Sequence, residues 1–110
     1  MIEQRKHVRR FTAINVDCYS SDGSVQIDKC VMVNISKGGL AIESKKHFSI
    51  GEKILVSFNT PESQEISVMT QILHSSQGGF GTLYGAKYHE TDLQKLSALN
   101  NYLLNYFNLY

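Results

Sequence analysis

Arginine is absent from the hundred residues that follow Arg10, proline occurs once (Pro61), and there are two cysteines. Two cysteines in 110 residues exclude a disulfide-dense scaffold, and thiols of this kind normally stay reduced in the cytosol. No apolar run approaches the roughly 18 residues of a membrane-spanning helix, and no apolar signal segment follows a basic start. A cytoplasmic chain without a membrane partner is therefore expected. The four histidines (His7, His47, His74, His89) are scattered, and none stands at a zinc-like spacing from a cysteine or another histidine, so no metal is expected. Charge of one sign is lacking too. A formal net charge of +1 provides no global basic field for a general polyanion. With 42% hydrophobic and 19% charged residues, the chain is too apolar for disorder and has the length of one domain.

Arginine is what remains to be explained. The eleven basic residues comprise eight lysines and three arginines, and all three (Arg5, Arg9, Arg10) fall within six consecutive positions. A guanidinium offers a planar fork to phosphate and to guanine, which the lysine ammonium does not.

Behind this basic arm (residues 1–11) the chain alternates with period two. Ile14, Val16 and Cys18 share one face of a first strand, and Ser21-Asp22-Gly23-Ser24 is a hairpin turn by composition. Val25, Ile27, Val31 and Val33 share a parity that Lys29 interrupts, which predicts a bulge or a change of exposure midway. Across that turn position 18 is expected to face roughly position 27. Cys18 and Cys30 would then lie ~10 Å apart along the strands, too far for a bridge. After Asn34-Ile-Ser-Lys-Gly-Gly39 come a short strand (Leu40 to Glu43) and three further alternating sets. These are Ile54/Val56/Phe58, then Ile66/Val68/Thr70/Ile72, then Phe80/Thr82/Tyr84/Ala86/Tyr88. Six or so short strands without an intervening helix predict a mainly β fold over residues 12–89, an antiparallel sheet closed, or nearly closed, into a small barrel.

The last segment changes period. Leu93, Leu96, Leu99, Leu103, Phe107 and Tyr110 recur at helical spacing, and Thr91-Asp-Leu-Gln94 reads as a capping box with Thr91 as N-cap. A C-terminal helix is expected within 91–108. Tyr102, Leu104, Tyr106 and Leu109 widen its apolar stripe, and no charged side chain follows Lys95. Such breadth predicts self-association, a homodimer, or docking of a partner through residues 96–110, with frayed, partly exposed terminal residues as the alternative.

Two short motifs stand in a telling order. Arg5-Lys-His-Val-Arg9 is an Arg-x-x-x-Arg pattern ahead of the barrel, and Asn34-Ile-Ser36-Lys-Gly38-Gly39 is an Asn-x-Ser-x-x-Gly loop between its second and third strands. With the terminal strand and helix behind them, these motifs make the whole chain resemble the PilZ domain family. The resemblance implies a split-barrel-like six-stranded β-barrel that binds the second messenger cyclic di-GMP. It assigns Arg5 and Arg9 to phosphate and guanine, and Asn34, Ser36 and Gly39 to the loop that receives the rest of the ligand. Arg10 and Gly38 are accessory. Two departures stand out: Asn34 occupies a place where many members carry Asp, and Gln4 one where members that take a stacked ligand dimer often carry Arg. The chemistry agrees with the resemblance. Guanidinium groups fork onto phosphate and guanine O6/N7 and stack on base faces. Asn34 both donates and accepts, the Ser36 hydroxyl serves a phosphate or a neighbouring backbone group, and Gly39 admits a flat ligand. Gly38 is expected to tolerate positive φ, whereas His7 supplies charge rather than a specific contact.

The expected function is a non-enzymatic cyclic di-GMP receptor that relays binding to a protein target, in motility or biofilm regulation, with no cofactor beyond the ligand. No nucleophile triad or paired-acid constellation points to catalysis. A PilZ-like interaction module without nucleotide is the alternative. A nucleic-acid-binding small barrel is weaker still, because the strand aromatics lack basic company.

Overall fold

The computed structural model describes residues 7–109, and Arg5 lies outside them. Six antiparallel strands precede one helix: β1 (Arg10–Ser20), β2 (Gln26–Ile35), β3 (Gly39–Ser44), β4 (Lys53–Asn59), β5 (Glu65–Gln77), β6 (Thr82–Tyr88) and α1 (Leu93–Phe107). They close into a barrel in the order β1-β2-β3-β6-β5-β4, so the two non-sequential ladders, β3 with β6 and β1 with β4, seal the sheet. β1 begins at Arg10, two residues inside the stretch expected to be arm.

The alternating sets of β4 and β5 point inward as their period dictates. Ile54, Val56, Phe58, Ile66, Val68 and Ile72 are buried, and the Thr70 hydroxyl among them donates to the Ile54 carbonyl at 3.0 Å, which satisfies it in the core. β2 behaves differently from its valine parity. Ile27 packs on the core, but Cys30 and Met32 are the buried residues of the middle, and Val31 and Val33 lie on the outer side. The change of exposure is there, and it places Cys30 in the core with Val16 and Cys18. Phe80 is likewise not a strand residue. It sits in the turn before β6, where the buried Glu43 carboxylate accepts the backbone N–H groups of Gly79 (2.9 Å) and Phe80 (2.7 Å).

The cysteine offset is corrected by a bulge. A register shift between Cys18 and Tyr19 sets Cys18 opposite Asp28, with Val16 opposite Cys30. The two cysteines are thus diagonal neighbours on the inner face. Both are free and buried, and their Sγ atoms are 3.0 Å apart rather than a strand's length away. The contact with Cys30, together with burial, pushes the Cys18 thiol well up.

The helix lies over one end of the barrel. Its N-cap is Asp92, one residue later than expected: Asp92 Oδ1 accepts from the N–H groups of Gln94 (2.9 Å) and Lys95 (3.3 Å). A carboxylate there also meets the positive end of the helix dipole, which the Thr91 hydroxyl would not. Leu99, Tyr102 and Leu103 are buried, and the Tyr102 ring packs 5.2 Å from Phe58 and 5.4 Å from Phe107. Asn108, at φ 53°, turns the chain back so that Leu109 is buried as well. Tyr102 and Leu109 are therefore core residues. What the helix leaves exposed is Leu93, Leu104 and Tyr106, and Leu93 departs from the expected inward stripe. No helix among the described residues is long and apolar enough to cross a membrane.

The β1–β2 hairpin turns where Asp-Gly predicts, with Gly23 at φ +76°. Asp22 Oδ1 accepts from the N–H of Ser24 (3.0 Å), the Ser24 hydroxyl (2.7 Å) and the Ser20 hydroxyl (2.7 Å). These donors, the Ser24 N–H foremost, lower the Asp22 carboxyl from 3.8 to about 2. Because the folded value is depressed, this turn's contribution to stability is present above about pH 4 and fades as the pH falls toward 2. An NMR titration should place the Asp22 carboxyl midpoint near 2, and Ser24→Ala should raise it toward 3.8.

Candidate functional site

An open cavity of about 270 Å³ lies against the outer surface of the barrel, where β3 and β6 meet. Strand order explains which side chains reach it. Arg9 enters from the residue before β1, Asn34 from the end of β2, and Ser36, Gly38 and Gly39 from the β2–β3 loop. Lys87 comes from β6, and Leu73 and His74 from β5. Of the residues singled out from sequence, Arg9, Asn34, Ser36, Gly38 and Gly39 are brought together here. Arg9 is half-buried, which holds its charge against the wall rather than in bulk water.

Arg10 is not part of this cavity. Alternation sends its side chain the other way, and its Nε donates to the Phe107 carbonyl at 3.3 Å. That carbonyl belongs to the last turn of α1, whose partial negative charge suits a guanidinium. Two neighbouring arginines thus serve two places, the cavity and the helix end.

The loop holds its own shape. The Ser36 N–H donates to the Gly39 carbonyl at 2.8 Å, and the Ser36 hydroxyl donates to the same carbonyl at 3.2 Å. The hydroxyl oxygen in turn accepts the N–H groups of Gly38 and Gly39, each at 3.2 Å. Of the two uses expected for this hydroxyl, the backbone one is realised. Tyr88 fastens the loop to β6: its hydroxyl donates to the Ser36 carbonyl at 2.7 Å, and its N–H to the Gly38 carbonyl at 3.2 Å. Burial pushes the Tyr88 phenol up, which favours the neutral donor form.

The two glycines have reasons other than those expected. A Cβ on Gly39 would collide with the Ala86 carbonyl oxygen of the neighbouring strand, so the residue is small to let β3 and β6 approach. Positive φ among the described glycines occurs at Gly23 and Gly51, not at Gly38. Gly38 instead receives the His7 imidazole, whose nearest ring carbon would stand 2.6 Å from a Cβ there. His7, expected to supply only charge, therefore lies on the loop and lines the cavity.

Leu73, His74, Gly85 and Lys87 were not singled out from sequence. Leu73 and His74 could have been found only through a register shift between Ile72 and His74, which breaks the alternation of β5 and turns two consecutive residues to the outer side. Nothing in the local residue types announces it. Among the described residues no group of three His, Cys, Asp or Glu side chains is placed to hold a metal ion.

The family model "PilZ domain" matches residues 3–105. No curated protein matches the chain in sequence. Among solved structures, the Bacillus subtilis inhibitor of motility (MotI/DgrA) superposes with a TM-score of 0.71 at 21% identity, covering 94% of this chain and 51% of its own. The K. pneumonia MrkH–c-di-GMP complex gives 0.68 at 16% identity, over 94% of this chain and 52% of MrkH. The PilZ domain of Escherichia coli YcgR with c-di-GMP gives 0.64 at 14%, over 89% and 87%. At these identities the likeness is one of fold. The chain spans about half the length of the first two and most of the third.

The contrast between the two loop glycines is measurable. Gly39→Ala sets a methyl against backbone and should cost upwards of about 2 kcal/mol in urea unfolding. Gly38→Ala displaces only an exposed imidazole and should cost less than about 1 kcal/mol. Equal losses would show that the β3–β6 approach is not what Gly39 serves.

Proposed function

Since this chain belongs to the PilZ family, we propose that it is a receptor for cyclic di-GMP, acting without catalysis and relaying the bound state to a protein partner. One observation carries the reading: the half-buried Arg9 and Asn34 line a single open cavity with the Ser36–Gly39 loop. A dianion carrying two guanines needs a guanidinium for phosphate or for O6/N7, and an amide that matches donor to acceptor along a base edge. Arg5 would add the second guanidinium of the arm. Ser36 then acts by holding the loop, since its hydroxyl is already committed to backbone. MrkH and the YcgR domain, similar in fold, are the structures with c-di-GMP bound, which supports the same ligand here.

The relay rests on the pair Arg9 and Arg10. One side chain faces the cavity and the next donates to the Phe107 carbonyl, so drawing the arm onto a ligand acts on the end of α1. A protein target would read that change. A second copy of the chain would dock on the face of α1 that carries the exposed Leu93 and Leu104. An inhibitor of motility among the similar folds is consistent with an output in motility control.

Titration calorimetry with cyclic di-GMP, with cyclic di-AMP and single-stranded DNA as controls, tests the receptor reading. Binding at about micromolar or tighter, near −8 kcal/mol, is expected for cyclic di-GMP alone. Arg9→Ala should weaken it by roughly 1.5–3 kcal/mol, about ten- to a hundredfold. Absence of heat at high protein concentration sinks the proposal. For the relay, amide exchange should slow across residues 7–10 and change at the end of α1 when ligand is added. Exchange confined to the cavity contradicts it, and a single-chain mass in sedimentation of the same samples removes self-association.

A further inference from the structure

The far wall of the cavity is built on bare backbone. A Cβ on Gly85 would run into the His74 imidazole, so the ring occupies the space that a side chain on β6 would fill. Gly85 is buried beneath it while His74 stays exposed on its other side. The bulge between Ile72 and His74 puts Leu73, 48% exposed, beside it on the same rim. An exposed imidazole seated on a glycine, next to an exposed leucine, is an arrangement that the barrel itself does not require. Both residues line the cavity that holds Arg9 and Asn34.

Position decides what this wall does. From Asn34 on β2 to His74 on β5 the sheet runs through β3 and β6. That is three strand spacings, or about 14 Å. A ligand with two purines has a second base to place, and Arg9 with Asn34 can serve only their own end. Neutral imidazole has one N–H donor, and guanine presents O6 and N7 as acceptors where adenine carries an N6 donor beside N7. Leu73 offers the adjoining apolar surface to the base face.

We propose that His74 is a specificity-determining residue of the site: its ring N–H donates to O6 of a guanine, where adenine carries an N6 donor, with Gly85 as the seat beneath the ring. This inference rests on the receptor reading above, and its failure is separable from that one. The test compares wild type, His74→Ala and His74→Gln by calorimetry with cyclic di-GMP. Since His74 is exposed, both variants should keep the melting temperature of the wild type. His74→Ala is expected to bind about tenfold more weakly, the size of one lost hydrogen bond to a buried partner. His74→Gln retains an N–H donor and should stay within about threefold of wild type. Wild-type affinity in His74→Ala overturns the inference and leaves the receptor standing. So does a His74→Gln as weak as His74→Ala, because the ring would then act by packing alone. A wild-type protein that binds no cyclic di-GMP overturns both.

Discussion

The ladder between β3 and β6 is the constraint on which the molecule turns. It joins strands that are not neighbours in sequence, and six consecutive pairs from Gly39↔Lys87 to Ser44↔Thr82 run through it without a register shift. Loop-closure entropy makes such a non-local pairing expensive, so it has to be close and complete. Closeness is what removes the side chain from position 39, where the Ala86 carbonyl leaves no room. Completeness is what buries β3 on both faces, with Leu40 and Ile42 in the core and Glu43 beneath the turn before β6. The cavity is a by-product of that seam. Where the ladder ends, the β2–β3 loop and the last residues of β6 stand side by side, and the Tyr88 hydroxyl ties them.

The two halves of the candidate site therefore differ in physical character. The loop is internally satisfied: Ser36 exchanges bonds with Gly38 and Gly39 and is clamped to the barrel through Tyr88. A polar segment whose donors and acceptors are already paired is rigid at little cost. The guanidinium, by contrast, comes from outside the sheet. Arg9 precedes β1, and its neighbour Arg10 reaches 97 residues along the chain to the end of α1. A preformed loop thus stands beside a chain segment that touches the end of the helix.

Most of the barrel could be read from period-two alternation, because inward positions of a small barrel must be apolar and the period admits no other face. The sets in β4 and β5 point inward for that reason. Reading failed where an extra residue enters a strand. The bulge after Cys18 moved the facing position from 27 to 28 and brought two thiols into contact. The change of face within β2 put Cys30 and Met32 inside instead of valines, which have a high β-propensity on either side and so carry no directional signal. At the site, the motif residues were legible because their types are chemically specific. The opposite wall was not, since His74 and Gly85 meet only through pairing of β5 with β6 and look ordinary in sequence. The cap shifted from Thr91 to Asp92 because both residue types cap and only geometry chooses between them.

Two imidazoles rest on glycine in this cavity, His7 over Gly38 and His74 over Gly85. Neither ring is part of the core, and neither glycine beneath it has positive φ. Two exposed side chains thus cover bare backbone in the cavity wall. Exchange at positions 7 and 74 would then reshape the cavity wall at little cost to the barrel beneath.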